Sequence, residues 1–248
     1  MRRSCTPRAI LIATIASTLA GCATGPRLTP ARETIAPYDT TRGDALWAVA
    51  PPANESGVSF VDPLAIGDEV VQAAESVRGI RCVPLNRTIA AMRRLGLERV
   101  TSEGEARALA AELGVDAIVA GSISAYDPYD PPVLGLTLVL YASPSAGLVA
   151  NGDVFDVRLF QLQATDSAFQ GLGPRPEAVG GGLFDAKRHD VVNRVQMYAQ
   201  GRTDIDSPYG WRAFLVRSDL FAEFAAHEAV ADLVEQEWLR LTAQAGAE

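Results

Sequence analysis

Few residues of this chain have side chains able to make or break a covalent bond near neutral pH. It carries three cysteines, Cys5, Cys22 and Cys82, and two histidines, His189 and His227. A nucleophile needs a base within hydrogen-bond reach, and both histidines lie among polar residues of helical spacing with no motif around them. Ser122 follows Gly121, but the Gly-x-Ser-x-Gly turn that exposes a nucleophilic serine is absent. A Ser-His-Asp site assembled from distant residues, using Ser122 or His189, stays open on sequence alone. The cysteines and histidines have no zinc-ligand spacing. Asp127 and Asp130 could offer oxygens to Ca²⁺, yet no further run of oxygen ligands follows them. Gly180-Gly181-Gly182 lacks the Lys-Ser/Thr of a phosphate loop, and Asp185 would repel phosphate, so it reads as a flexible linker. The expectation is a chain with no catalytic residue, no metal and no cofactor.

Cys22 is a different case. It closes Leu19-Ala20-Gly21-Cys22, after Arg2, Arg3 and Arg8 and the apolar run from Ala9 to Leu19. That run falls far short of the ~20 residues a spanning helix needs. The segment resembles the lipobox of bacterial lipoproteins, which implies removal of residues 1–21, a diacylglyceryl group on the Cys22 sulfur and an acylated new N-terminus, with chains such as palmitate. An ordinary secretory signal cut near Ala23 is the alternative. Two or more acyl chains hold stably, at ~0.8 kcal/mol per buried methylene, whereas one holds only marginally. Loss of residues 1–21 takes away three arginines and no acid, moving the formal net charge from −8 to −11. An acidic body of this kind is poorly suited to nucleic acid and has little attraction of its own for anionic headgroups. Attachment would therefore run through the lipid on Cys22. Ala23, and not aspartate, follows the cysteine, which in a Gram-negative cell implies sorting to the inner leaflet of the outer membrane, facing the periplasm. Cys82 would then be the one remaining thiol, with no disulfide partner, and its apolar run Ile80–Leu85 predicts a buried, inert side chain.

The elements that would position any site follow from periodicity. Residues 23–44 hold three prolines and no apolar period, so residues 22–44 read as a flexible tether. The remainder, 45–248, is within the range of one domain. Ala45–Ala50 is a strand ending at Pro51-Pro52, and Pro63–Val77 places Leu64, Val70, Val71 and Ala74 at helical spacing. Ile80–Leu85 is a second strand, and Asn86 is placed to cap a helix through Leu95 whose outer face holds Arg87, Arg93 and Arg94. Thr101 or Ser102 caps the next helix, with Glu103 and Glu105 in its first turn and Gly114 at its end. Val115–Ile123, apolar nearly throughout, predicts a central strand covered on both faces. Val133–Tyr141 and Val154–Leu162, joined by the small-residue loop Ala142–Asp153, predict an antiparallel hairpin, with Leu134, Leu136, Leu138 and Leu140 alternating onto one face. Gln163–Gly182 reads as loop. Asp185 would cap a helix to Ala199, and Ser218 a long last helix to about Ala243. That last helix has an apolar stripe of Phe221, Phe224, Val230, Leu233, Val234 and Leu239, with Glu223, Asp232, Glu235 and Arg240 on the wet side. The fold class is α/β, a mixed sheet of about five strands with flanking helices, an appended hairpin and a long C-terminal helix.

Three stretches carry a family resemblance. Val49-Ala50-Pro51-Pro52-Ala53-Asn54-Glu55-Ser56-Gly57 resembles the first strand and turn of the TolB amino-terminal and curli-secretion (CsgG-like) fold. Leu113-Gly114-Val115-Asp116-Ala117-Ile118-Val119-Ala120-Gly121-Ser122-Ile123 resembles its central strand, and Phe155–Ala168 the strand that follows. The resemblance covers residues 45–170 and implies the fold shared by lipoprotein activators of penicillin-binding proteins; residues 183–248 are read as C-terminal helices without a counterpart. Curli channels insert long hairpins whose strands need 9–11 residues to cross; only one pair, barely of that length, is present here.

Tyr126-Asp127-Pro128-Tyr129-Asp130-Pro131-Pro132 is the most unusual local sequence. Three prolines stiffen it and two tyrosines offer rigid amphipathic area, which suits a partner-binding loop through Tyr126, Asp127, Tyr129 and Asp130, or equally a stiff exit from the central strand. Tyr209, Trp211 and Phe214, near Arg212 and Arg217, read as packing for the last helix ahead of an interface. The expectation is a lipid-anchored, non-catalytic accessory protein that binds an envelope partner in envelope assembly, secretion or cell-wall synthesis. A subunit of a CsgG-like secretion channel, or a hydrolase with a scattered site, are the alternatives.

Overall fold

A computed structural model describes residues 31, 33–38, 40–142, 178–203 and 207–245. The lipobox with Cys22, the strand expected at Val154–Leu162 and the Phe155–Ala168 stretch lie outside the described residues.

Strands β1 (Ala45–Val49), β3 (Ile80–Val83) and β4 (Ala117–Asp127) are parallel, and β5 (Val133–Ala142) and β6 (Ala178–Asp185) continue the sheet antiparallel. The order is β3-β1-β4-β5-β6, with the short β2 (Ala53–Asn54) alongside β4, which makes a six-stranded mixed sheet. Helix α1 (Pro63–Glu75) carries the chain from β1 outward to β3, and α2 (Leu85–Arg94) and α3 (Glu103–Leu113) bring it back across β1 to β4. Crossovers of one hand that run in opposite directions must lie on opposite faces. They do: Trp47 and Val49 pack with Val70 and Ala74 of α1, while Ala48 and Ile118 pack with Met92 of α2 and Leu109 of α3. The expected central strand is central, and Ala117–Ala120 are buried on both sides.

Helix α4 (His189–Ala199), the single turn α5 (Ala213–Val216) and the long α6 (Ser218–Ala245) complete the chain. Leu134, Leu136, Leu138 and Leu140 share one core with Phe224 and Leu233 of α6, so the leucine face of β5 is interior. The Ser102 cap is present as a full capping box, in which Ser102 Oγ accepts from the Glu105 N–H and the Glu105 carboxylate accepts from the Ser102 N–H. Gly114 ends that helix at φ 65°, where a side chain would be strained. Asp116 accepts from the Leu46 N–H at 2.8 Å while its own N–H donates to the Leu46 carbonyl at 2.8 Å, so this aspartate fastens β4 to β1.

Several local expectations need correction. Gly180-Gly181-Gly182 is no linker; it lies in β6, paired with Leu138, Thr137 and Leu136. Asp185 ends that strand opposite Val133 and accepts from the Lys187 N–H, so α4 begins at His189 with Arg188 in the cap position. Pro84 occupies the cap position of α2 and Asn86 lies inside it, because buried Leu85 already belongs to the helix. On α6, Leu239 is 56% exposed, and Arg240 is buried in an ion pair with Glu237. Residues 34–38 do not behave as tether. Their backbone pairs with Arg78 through Ala36 N–H to Arg78 C=O and Arg78 N–H to Thr34 C=O, both 2.9 Å. Ala36 and Tyr38 are buried, the latter edge-on to Trp47.

Candidate functional site

The Tyr126–Pro132 loop joins β4 to β5 at the carboxyl end of the parallel strands. In open α/β sheets this end is where ligands are met, near strands whose connections leave in opposite directions. Here the connections from β1 and β4 do so, the first toward β3 and the second toward β5.

Two loops form this end, and each is braced by its own side chains. In residues 54–58, Asn54 Nδ2 donates to the Val58 carbonyl (2.8 Å), Asn54 Oδ1 accepts from the Ser56 N–H and hydroxyl, and the Glu55 N–H donates to the Ile123 carbonyl. In the second loop, Asp127 Oδ1 accepts from the Tyr129 N–H at 3.1 Å, and the Pro132 carbonyl accepts from the Ala186 N–H at 3.0 Å. The Asp130–Pro131 peptide is cis. The hydrogen bonds within these two loops lower the entropy they would lose on binding.

The loops are linked through their aromatics. Tyr126 is half-buried and lies edge-on to Phe60, ring centroids 6.0 Å apart. Burial, with Asp62 nearby, holds the Tyr126 hydroxyl above its usual range, so it stays neutral. Phe60 is 62% exposed and Tyr129 74%. Asp127 and Asp130 are exposed beside them. Of the four expected loop residues, Tyr126 is a support and Tyr129, Asp127 and Asp130 face solvent. Phe60 is not legible as a site residue in the sequence, where its apolar neighbours Val58 and Val61 give it the look of one more buried residue.

The residues considered for chemistry are placed separately. Ser122 is mid-strand, in register with Ala53 and Thr137. His189 opens α4, and His227, within α6, lies against the Tyr198 ring. Cys82 is buried, and desolvation pushes its thiol up to about 12, far from a thiolate at neutral pH. No group of three or more His, Cys, Asp or Glu that could hold a metal ion occurs among the described residues. No helix among them is long and apolar enough to cross a membrane. Of the second aromatic cluster, Phe214 is buried against Tyr198 and Trp211 packs on the core, while Tyr209 is 62% exposed.

No family model matches the sequence, and no curated protein sequence does. Among solved structures the chain is similar to the LpoB C-terminal domain from Salmonella enterica, at 14% identity over 53% of this chain and 84% of that one, with a TM-score of 0.34. It is similar to lipoprotein GNA1162 from Neisseria meningitidis, at 18% identity over 41% of this chain and 74% of that one, TM-score 0.32. It is also similar to the hypothetical protein CT253 from Chlamydia trachomatis, at 12% identity over 83% of this chain and all of that one, TM-score 0.32. Likeness at this level concerns the path of the chain alone.

Proposed function

We propose that this chain is a lipid-anchored, non-catalytic accessory protein of the cell envelope that binds a partner protein through the carboxyl end of its sheet. The observation that carries the binding role is the pair Phe60 and Tyr129, both exposed, the first just beyond the hydrogen-bonded residues 54–58 and edge-on to Tyr126, the second on the loop held by Asp127. Rigid aromatics presented in this way are the usual anchors of protein interfaces. The anchor rests on the sequence around Cys22, and the setting in envelope assembly, secretion or cell-wall synthesis on the resemblance over residues 45–170. On this reading the lipid lies in the inner leaflet of the outer membrane and the folded body faces the periplasm.

Two measurements test the two halves. The Cys22→Ala variant should leave the membrane fraction, and its continued sedimentation with membranes would overturn the anchor. A photo-crosslinking amino acid at position 60 or 129 should trap an envelope protein in living cells, and one at exposed Ala108 on α3 should not. Equal trapping from all three positions, or none from 60 and 129, would overturn the binding role.

A further inference from the structure

Beside the aromatic rim lies a groove of about 610 Å³, within the size range of specific binding sites. Pro51 and Pro52 line it where the chain leaves β1, Leu64 on α1, Ile89 and Met92 on α2, and Leu97 beyond that helix. Leu64 is 49% exposed, although the spacing of α1 places it with the buried residues Val70, Val71 and Ala74. Asn54 and Pro63, from the segment that carries Phe60, also line the groove, so a partner seated on the rim is already at its mouth.

The charge around this groove runs against that of the molecule. From Ile80 to Val100 there are five arginines and one glutamate, in a chain of net charge −8. Arg94 is paired with Glu112. Arg93 and Arg99 both line the groove, both are exposed, and neither guanidinium makes a hydrogen bond or ion pair with the described residues. Glu98 offsets one of these charges. The amino end of α1 adds no free donors, because Asp62 already accepts from the Leu64 and Ala65 N–H groups.

We infer that the groove receives an apolar segment of the partner polypeptide bearing carboxylates, its aliphatic side chains against Leu64, Ile89 and Leu97 and its acids opposite Arg93 and Arg99. This rests on the partner-binding reading above and adds the chemistry of the bound segment. Arginine's planar fork matches a carboxylate, and an unpaired arginine on an otherwise acidic protein selects against partners of the wrong sign.

The test uses the mature full-length chain carrying Cys22→Ser, with a phage library of random 12-residue peptides as probe, followed by fluorescence anisotropy on the enriched peptides. Enriched sequences should combine Leu, Ile or Phe with Asp or Glu. Their affinity should fall at least tenfold in Arg93→Glu/Arg99→Glu and severalfold in Leu64→Ser, with an unchanged urea midpoint showing that both variants fold. Replacing the peptide acids by amides should reproduce the loss. No enrichment, enrichment without acids, or an affinity indifferent to Arg93→Glu/Arg99→Glu would overturn the inference. So would vesicles of 7:3 phosphatidylethanolamine and phosphatidylglycerol that bind through these arginines when the peptides do not. If crosslinking from position 129 persists in Arg93→Glu/Arg99→Glu cells, the groove chemistry fails and the interface stands; if it is absent in the unmodified chain, the interface itself fails.

Discussion

Alanine at Gly180 should destabilise the domain by about 2 kcal/mol relative to alanine at Gly182, two residues along the same strand. A Cβ at Gly180 would lie 2.4 Å from the Ala229 carbonyl oxygen, 2.5 Å from the Leu233 nitrogen and 2.8 Å from Leu233 Cβ. All three atoms are backbone or Cβ of α6, so no side chain can rotate away and the helix must lift from β6. Overpacking of that kind costs ~1–3 kcal/mol. A Cβ at Gly182 meets nothing within 4 Å. Both replacements regain the ~0.5–1 kcal/mol of chain entropy that glycine loses in a strand, so that contribution cancels in the comparison. With m near 1–3 kcal/mol/M, the urea midpoints should separate by roughly 1 M, with Gly182→Ala the higher. Tryptophan fluorescence would follow the transition through Trp47, which is fully buried. Coincident midpoints would refute the packing of β6 under α6 and return the glycines to a linker.

Three further outcomes follow from the same structure. Ser102→Ala should lower stability by ~1 kcal/mol, read from thermal unfolding, since it opens the capping box of α3. Hydrogen bonds from Thr101, then Ser102, hold the Glu105 carboxyl below its ordinary 4.5, so its contribution is present above that pH and is lost as pH falls through the lower folded value; Glu105→Gln should flatten this acid limb. The buried Cys82 thiol moves the other way, from 9.0 to about 12, so its contribution to stability should fall as pH rises from 9 toward 12, and Cys82→Val should lessen the alkaline fall, the tyrosines held above their usual range supplying the rest. Glu237→Gln would remove the buried carboxylate that accepts from Arg240 and should cost ~1.5–3 kcal/mol in urea unfolding, a loss that an unchanged midpoint would contradict.

Much of the sheet was legible because its signals are local. The apolar run of β4, the Ser102 cap, the glycine stop at Gly114 and the alternating leucines of β5 each announce their own structure. What is not legible in the sequence depends on partners remote in the chain. β6 looks like a linker until α6 passes over it, because its glycines are there to admit a helix backbone. Residues 34–38 gain their order from Arg78 and, at 2.9 Å, from the Trp238 indole N–H donating to Ile35 C=O. At the candidate site, Tyr126 and Tyr129 stand out by composition, but Phe60 acquires meaning only beside Tyr126, and Leu64, Arg93 and Arg99 only as the lining of one concavity.

That docked entry segment also sets a distance. It joins the body beside Arg78, just before β3 begins, at the amino ends of the parallel strands. Phe60 and Tyr129 sit past their carboxyl ends. Between the two poles runs β4, Ala117–Asp127, ~35 Å long at ~3.3 Å per residue. The sheet thus acts as a rigid spacer: whatever holds the chain by its first residues, the aromatic rim is carried to the far side of the domain, and tension arriving along the chain is borne at Arg78 and Trp238 before it reaches the loops.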